Sequence, residues 1–279
     1  MRFIFLLVVS WLVPATFATA DDRLPWDLAE LHKPPKMQWV DETSPVRSLI
    51  YSGPPYKGEP TEIFAFYATP GSVRGDASLD HDLPAVVLVH GGGGTAFAEW
   101  VWLWAERGYA AIAMDLSGRR PDPPQFDPQT GKLLPPRNHS EIQRTRLPAG
   151  GPEQGHEEKF ASIGGTVDDD WPYHAIADVI LAHSLIRSFD EVDAQRTAVT
   201  GISWGGYLTC HVASLDDRFK AAVPVYGCGF LYEGESVQKP QIDGLPPERR
   251  QKWIEMYDPS SNLRRCRKPI LFVNGPNDV

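Results

Sequence analysis

The stretch Thr197-Ala198-Val199-Thr200-Gly201-Ile202-Ser203-Trp204-Gly205-Gly206-Tyr207 decides how the chain is read. A β-branched run leads into Gly201, and an apolar-rich segment from Tyr207 to Ala213 follows Gly206. The pattern predicts a strand, a sharp turn and a helix, with Ser203 at the apex. A serine at such a turn is held in a strained backbone with its hydroxyl lifted above the sheet. Side chains two residues before and after it would meet neighbouring strands, which explains Gly201 and Gly205. The helix beyond presents its N–H groups and its positive dipole end to developing negative charge. A bare G-x-S-x-G also fits a glycine-rich turn with an incidental serine, so the flanking chain must decide.

Upstream, Pro84-Ala85-Val86-Val87-Leu88-Val89-His90 reads as a buried central parallel strand. It runs into Gly91-Gly92-Gly93-Gly94-Thr95, where glycines let main-chain N–H groups approach a substrate oxygen without a β-carbon in the way. A nucleotide loop is the alternative. The third glycine of G-x-G-x-x-G is replaced by Ala96, and no Lys-Ser/Thr follows. His90 itself reads as structural. Phe97 to Arg107 predicts a helix, and Ala110 to Met114 the next buried strand. Together they make a right-handed crossover unit.

Residues 116–170 form an irregular, Pro- and Gly-rich segment, expected to lie over the strand ends and shape access. Asp168-Asp169-Asp170 could be a metal cluster but reads better as a helix start. A helix follows through Ile176, Val179, Ile180 and Ile186. Beyond the turn at Ser203, strands are expected at Phe219–Val225 and Pro269–Val273, and a surface helix at Pro246–Met256. Further strands are expected at Ser48–Tyr51 and Glu62–Tyr67, with Ser52-Gly53-Pro54-Pro55 as a turn between them and Pro70 to Asp82 as a polar loop.

The 279 residues, 42% hydrophobic, allow one large α/β domain. A net charge of −9 and the lack of a long basic run argue against nucleic acid as partner. Residues 1–20 read as a secretory signal: Arg2, an apolar run from Phe3 to Val13, and Ala18-Thr19-Ala20 before Asp21-Asp22. That predicts a secreted or periplasmic protein, free of the membrane after cleavage. Residues 21–48 read as an irregular N-terminal segment, and 49–279 as the α/β domain, expected to be incomplete at its C-terminus. Cys210, Cys228 and Cys266 leave open whether two of them pair.

His90-Gly91-Gly92-Gly93-Gly94, then Gly201-Ile202-Ser203-Trp204-Gly205-Gly206, then Gly275-Pro276-Asn277-Asp278 resemble the α/β-hydrolase superfamily. Within it, the chain looks like the secreted acetylxylan esterase, dienelactone hydrolase and prolyl oligopeptidase-type group. The resemblance implies an α/β-hydrolase fold, a mostly parallel central sheet with helices on both faces. It implies Ser203 as nucleophile and Asp278 as the acid, with Glu233 as a fallback. The N–H groups of Trp204 and of Gly92 or Gly93 would form the oxyanion hole. No cofactor or metal is implied.

The expected order is Ser, acid, His, yet no histidine follows Asp278. His139 and His156 of the long segment are weak substitutes. The chain is therefore expected to be a fragment lacking the final strand, the final helix and the histidine. The expected substrate is a small-molecule or carbohydrate carboxylic ester, with acetyl groups on polysaccharide first. The alternatives are a prolyl oligopeptidase-type peptidase and a non-catalytic binding protein of the same fold.

Overall fold

The computed structural model describes residues 24–136 and 138–275. The expected signal at 1–20 and the expected acid Asp278 lie outside them.

A seven-stranded sheet organises the chain, in spatial order β1-β2-β3-β5-β4-β6-β7. The strands are β1 (Met37–Asp41), β2 (Arg47–Tyr56), β3 (Glu59–Ala68), β4 (Leu83–Val89), β5 (Ala110–Met114), β6 (Val192–Ile202) and β7 (Ala221–Val225). Strands β5, β4, β6 and β7 are parallel, and β1 to β3 form an antiparallel meander that joins β5. The central strands alternate between two apolar layers. Ala85, Val87 and Val89 face one layer with Ile112 and Met114, while Val86 and Leu88 face the other with Ala111 and Ala113. Both faces of the sheet are covered, hence the unbroken apolar runs in the sequence. Helices α2 (Trp171–Ile186) and α3 (Trp204–Leu215) cover the first face and α1 (Ala98–Ala105) the second.

Four expectations are corrected. Residues 21–48 are not uniformly irregular, because β1 lies within them. Ser52 to Pro55 is not a turn but part of β2, which pairs with β3 and shifts register between Gly53 and Tyr56. That irregularity accommodates two prolines, which donate nothing to the ladder. The chain reverses at Lys57 and Gly58, whose φ values of 52° and 80° suit a tight hairpin. Pro70–Arg74, read as loop, is a short helix capped by Thr69. The segment from Pro247 is helical only to Lys252, then widens into a π-helical turn at Trp253–Tyr257. The helical part lies on the surface as expected, but the π-helical turn does not, for Trp253 and Tyr257 are fully buried.

Residues 269–273, expected as a strand, run parallel to β7 only through the isolated bridges Ala222–Ile270 and Val225–Val273, and Leu271, Phe272 and Val273 are exposed. No helix among the described residues is long and apolar enough to cross a membrane.

Candidate active site

Ser203 sits between β6 and α3 with φ 57° and ψ −118°, a conformation that L residues avoid. Its N–H donates to Val225 O at 2.8 Å, fixing the turn to the end of β7. The flanking glycines are required by contact. A β-carbon on Gly205 would lie 2.1 Å from Val89 O, and one on Gly201 would lie 2.5 Å from Gly205 O. A β-carbon on Gly206 would lie equally close, 2.5 Å from Val225 O. The turn is thus wedged between the ends of β4 and β7.

The glycine loop lies beside it. A β-carbon on Gly91 would meet Ser203 Cβ at 3.4 Å, and one on Gly92 would meet Trp204 Cδ1 at 2.7 Å. His90 is a structural clip, as expected. Its Nε2 accepts from the Leu116 N–H at 2.9 Å, which leaves Nδ1 to donate to Gly91 O at 2.8 Å. Burial lowers its pKa, more than the nearby Asp115 carboxylate raises it, and keeps it neutral. Asp115 accepts from the Thr95 hydroxyl at 2.7 Å and from Ser117 and Arg119, joining the far end of the loop to β5.

The irregular segment does cover this end of the sheet. Arg144 donates to the Gly93 and Gly94 carbonyls, at 2.9 and 2.7 Å. Gln154 Oε1 accepts the Gly93 N–H at 3.1 Å, and the Gly94 N–H bonds Gly91 O. Nothing in the described chain takes the N–H of Gly92 or of Trp204. The Trp204 indole is packed edge-on against Trp171, Tyr207 and Phe160. Ser203 and Trp204 line a cavity of about 330 Å³ together with Tyr226, Cys228, Leu231 and Val237. Cys210, behind it, has its thiol pushed up to about 12, first by burial and then by the thiols of Cys228 and Cys266.

The described histidines are engaged elsewhere or lack a bond to Ser203. His211 is buried on α3, with Nε2 2.8 Å from Tyr257 O. His174 meets Asp168 O at 2.7 Å. His139 lies 2.6 Å from Glu99, and His156 packs on Phe160. Glu233 lies in the turn after Phe230, with no bond to a histidine. Asp168 and Asp169 form a turn ahead of α2, and Asp170 occupies its N-cap position, binding Tyr257 and Lys252 rather than capping. No group of three metal-ligating side chains occurs among the described residues.

One buried pair has the look of catalytic machinery, and sequence reading missed it. His183 Nδ1 donates to Asp216 at 2.7 Å, and its Nε2 lies 2.8 Å from the Thr197 hydroxyl. All three are buried, and Phe219 stacks on the imidazole at 3.5 Å. Thr197 is six residues back along β6 from Ser203, about 20 Å away at strand spacing. No solvent reaches the pair, so it serves the fold. Its only sequence signal was an Asp after α3 and a His on α2.

A family profile for acetyl xylan esterase, AXE1, matches residues 49–237. The chain belongs to that family. The membership brings an esterase function with it. Among solved structures, this family member is similar to the acetyl xylan esterase from Paenibacillus sp. R4, at 23% identity over 88% of this chain and 75% of that one, with a TM-score of 0.54. Acetyl xylan esterase 1 from Thermoanaerobacterium sp. JW/SL YS485 aligns at 17% identity over 89% and 78%, with a TM-score of 0.56. Dipeptidyl peptidase 4 from Porphyromonas gingivalis shares the fold at 16% identity and a TM-score of 0.51, over 87% of this chain and 28% of the peptidase. At these identities the structural likenesses establish the α/β-hydrolase fold.

Proposed function

We propose that this chain is a secreted serine esterase that removes acyl groups, acetyl first, from a carbohydrate ester through an acyl-enzyme on Ser203. The observation that carries the reading is Ser203 itself. It is held at φ 57° against steric preference, on the wall of a cavity, beside two N–H groups that no protein acceptor uses. A strained serine persists only where the surroundings impose it, and such strain collects at functional sites.

In this mechanism Ser203 Oγ attacks the ester carbonyl as a histidine takes its proton, with Asp278 orienting that histidine. The carbonyl oxygen becomes an oxyanion held by the N–H groups of Trp204 and Gly92. Gly92 is preferred over Gly93, whose N–H is spent on Gln154. The alcohol leaves with the proton. Water then attacks the acyl-enzyme by the reverse path and releases the acid. Each oxyanion donor is worth about 10²–10³ in rate.

The test is acetate release from an acetylated sugar or a chromogenic acetate ester by the full-length protein carrying the triad histidine and by its Ser203→Ala variant. The expected loss is roughly a thousandfold or more. Ester cleavage that survives the substitution overturns the reading. Export is checked separately by N-terminal sequencing, expected to begin at Asp21.

A further inference from the structure

Lys159 is a buried cation that forms no ion pair among the described residues. It lies on a π-helical turn, Glu157–Ala161, closed by the Ser162 N–H donating to Glu157 O at 2.9 Å. Such turns are rare and are frequent at functional sites. The Trp253 indole N–H donates to Lys159 O at 3.0 Å and fixes the backbone. The residue is only 9% exposed. Its ammonium is 4.8 Å from the Trp204 ring centre and 5.8 Å from that of Trp171. It lies 3.6 Å from the place a Gly92 β-carbon would occupy.

Indole faces attract a cation but accept little from its three N–H donors. No carboxylate pairs with Lys159 among the described residues; Glu158, its chain neighbour, acts only at a distance. Burial lowers the ammonium's pKa, the direction expected of a buried cation awaiting a partner. A second unspent donor stands on the same segment. Gln154 uses Oε1 on the Gly93 N–H, and its Nε2 is buried without an acceptor. Buried donors and charges are normally paired, so two left open beside one loop call for an acceptor from outside the chain.

We propose that Lys159 at Gly92, together with Gln154 at the adjoining Gly93, forms a carboxylate-binding subsite on the flank of the glycine loop. The carboxylate is either that of the acid released on ester cleavage or one carried on the sugar. The subsite rests on the esterase reading only in treating the Gly91–Gly94 loop as a wall of the substrate site. Occupied by the released acid, it makes the enzyme product-inhibited. Occupied by a sugar acid, it makes acidic glycans the better substrates.

The test is calorimetric titration of the full chain at pH 7 and constant ionic strength, with acetate in one series and galacturonate in the other. At least one anion binds saturably and more weakly as salt rises. Lys159→Met weakens that binding roughly tenfold or more, whereas Lys159→Arg keeps it within about threefold. Acetate alone binding identifies the released acid as occupant, and galacturonate alone identifies the sugar. Should Lys159→Met fail to fold, the wild-type chain still decides. Saturating anion then slows modification of Lys159 by trinitrobenzenesulfonate, read by peptide mass mapping. Absence of saturation with both anions overturns the subsite, as does equal binding by folded Lys159→Met or an unprotected Lys159. Ser203→Ala is expected to bind the anion as the wild type does. Lost hydrolysis with intact anion binding therefore bears on Ser203, and intact hydrolysis without anion binding bears on Lys159.

Discussion

Two points on β6 carry similar side chains in opposite conditions. Midway along the strand, Thr197, His183 and Asp216 are buried, and Arg218 completes the carboxylate's hydrogen bonds. At the carboxyl end, Ser203 is strained and lines a cavity, and neighbouring donors have no protein acceptor. A His–Asp pair is therefore no evidence of catalysis by itself. A group that has spent its hydrogen bonds inside the protein stabilises the fold, and one that has not is available to a ligand.

The harshest way to break the comparison is to fill the space at the serine end. Gly205→Val should prevent folding, or cost more than about 4 kcal/mol in a urea melt, because the first added carbon already overlaps Val89 O. A folded, normally stable variant would refute the wedged turn. Next comes His183→Ala. It strips the Asp216 carboxylate of one donor and empties the space over Phe219, and should cost about 3–5 kcal/mol with the ester assay otherwise intact.

Acid sharpens the same contrast. Burial lowers the pKa of His183 to about 4, and that of His211 to about 4. Folded pKa values below the unfolded value near 6.5 mean that the unfolded chain takes up more protons between these limits. Stability should thus fall as pH drops from about 6.5 toward 4, by up to about 3 kcal/mol for His183. Asp216 works lower down: burial pushes its pKa up, and the bonds from Arg218 and His183 more than reverse that. Its contribution persists above the ordinary carboxylate range and is lost only in stronger acid. Urea midpoints at pH 7 and pH 4.5 check the histidine part, and His183→Asn should show the smaller drop.

The smallest effect expected is a gain. Ser203→Gly relieves the positive φ and should stabilise the chain by about 1 kcal/mol while abolishing ester cleavage. A destabilised Ser203→Gly would show that the serine contributes to folding.

The serine turn was legible in sequence because its glycines answer to local sterics. So were β4 and β5, whose apolar runs record burial on both faces, and β6, whose run Thr197–Thr200 leads into the turn. The Thr197–His183–Asp216 group was not, since its members lie on β6, on α2 and after α3, and none has a local signature. The β2–β3 hairpin was misplaced because Pro54 and Pro55 look like punctuation, whereas the turn residues are Lys57 and Gly58. Lys159 was passed over because a lysine in a polar stretch signals a solvated surface, and only the packing of Trp171, Trp204 and Trp253 around it removes the water.

The bond from the Ser203 N–H to Val225 O has a consequence for amide hydrogen exchange. Residues 203 and 204 are adjacent, yet one N–H is locked to the end of a buried strand and the other has no protein acceptor. In heavy water the Ser203 amide should exchange only when the core opens, while the Trp204 amide exchanges from the closed state. Neighbouring positions would then report opposite extremes of protection. An oxyanion mimic seated at Trp204 and Gly92 would slow exchange there and leave Ser203 where it was.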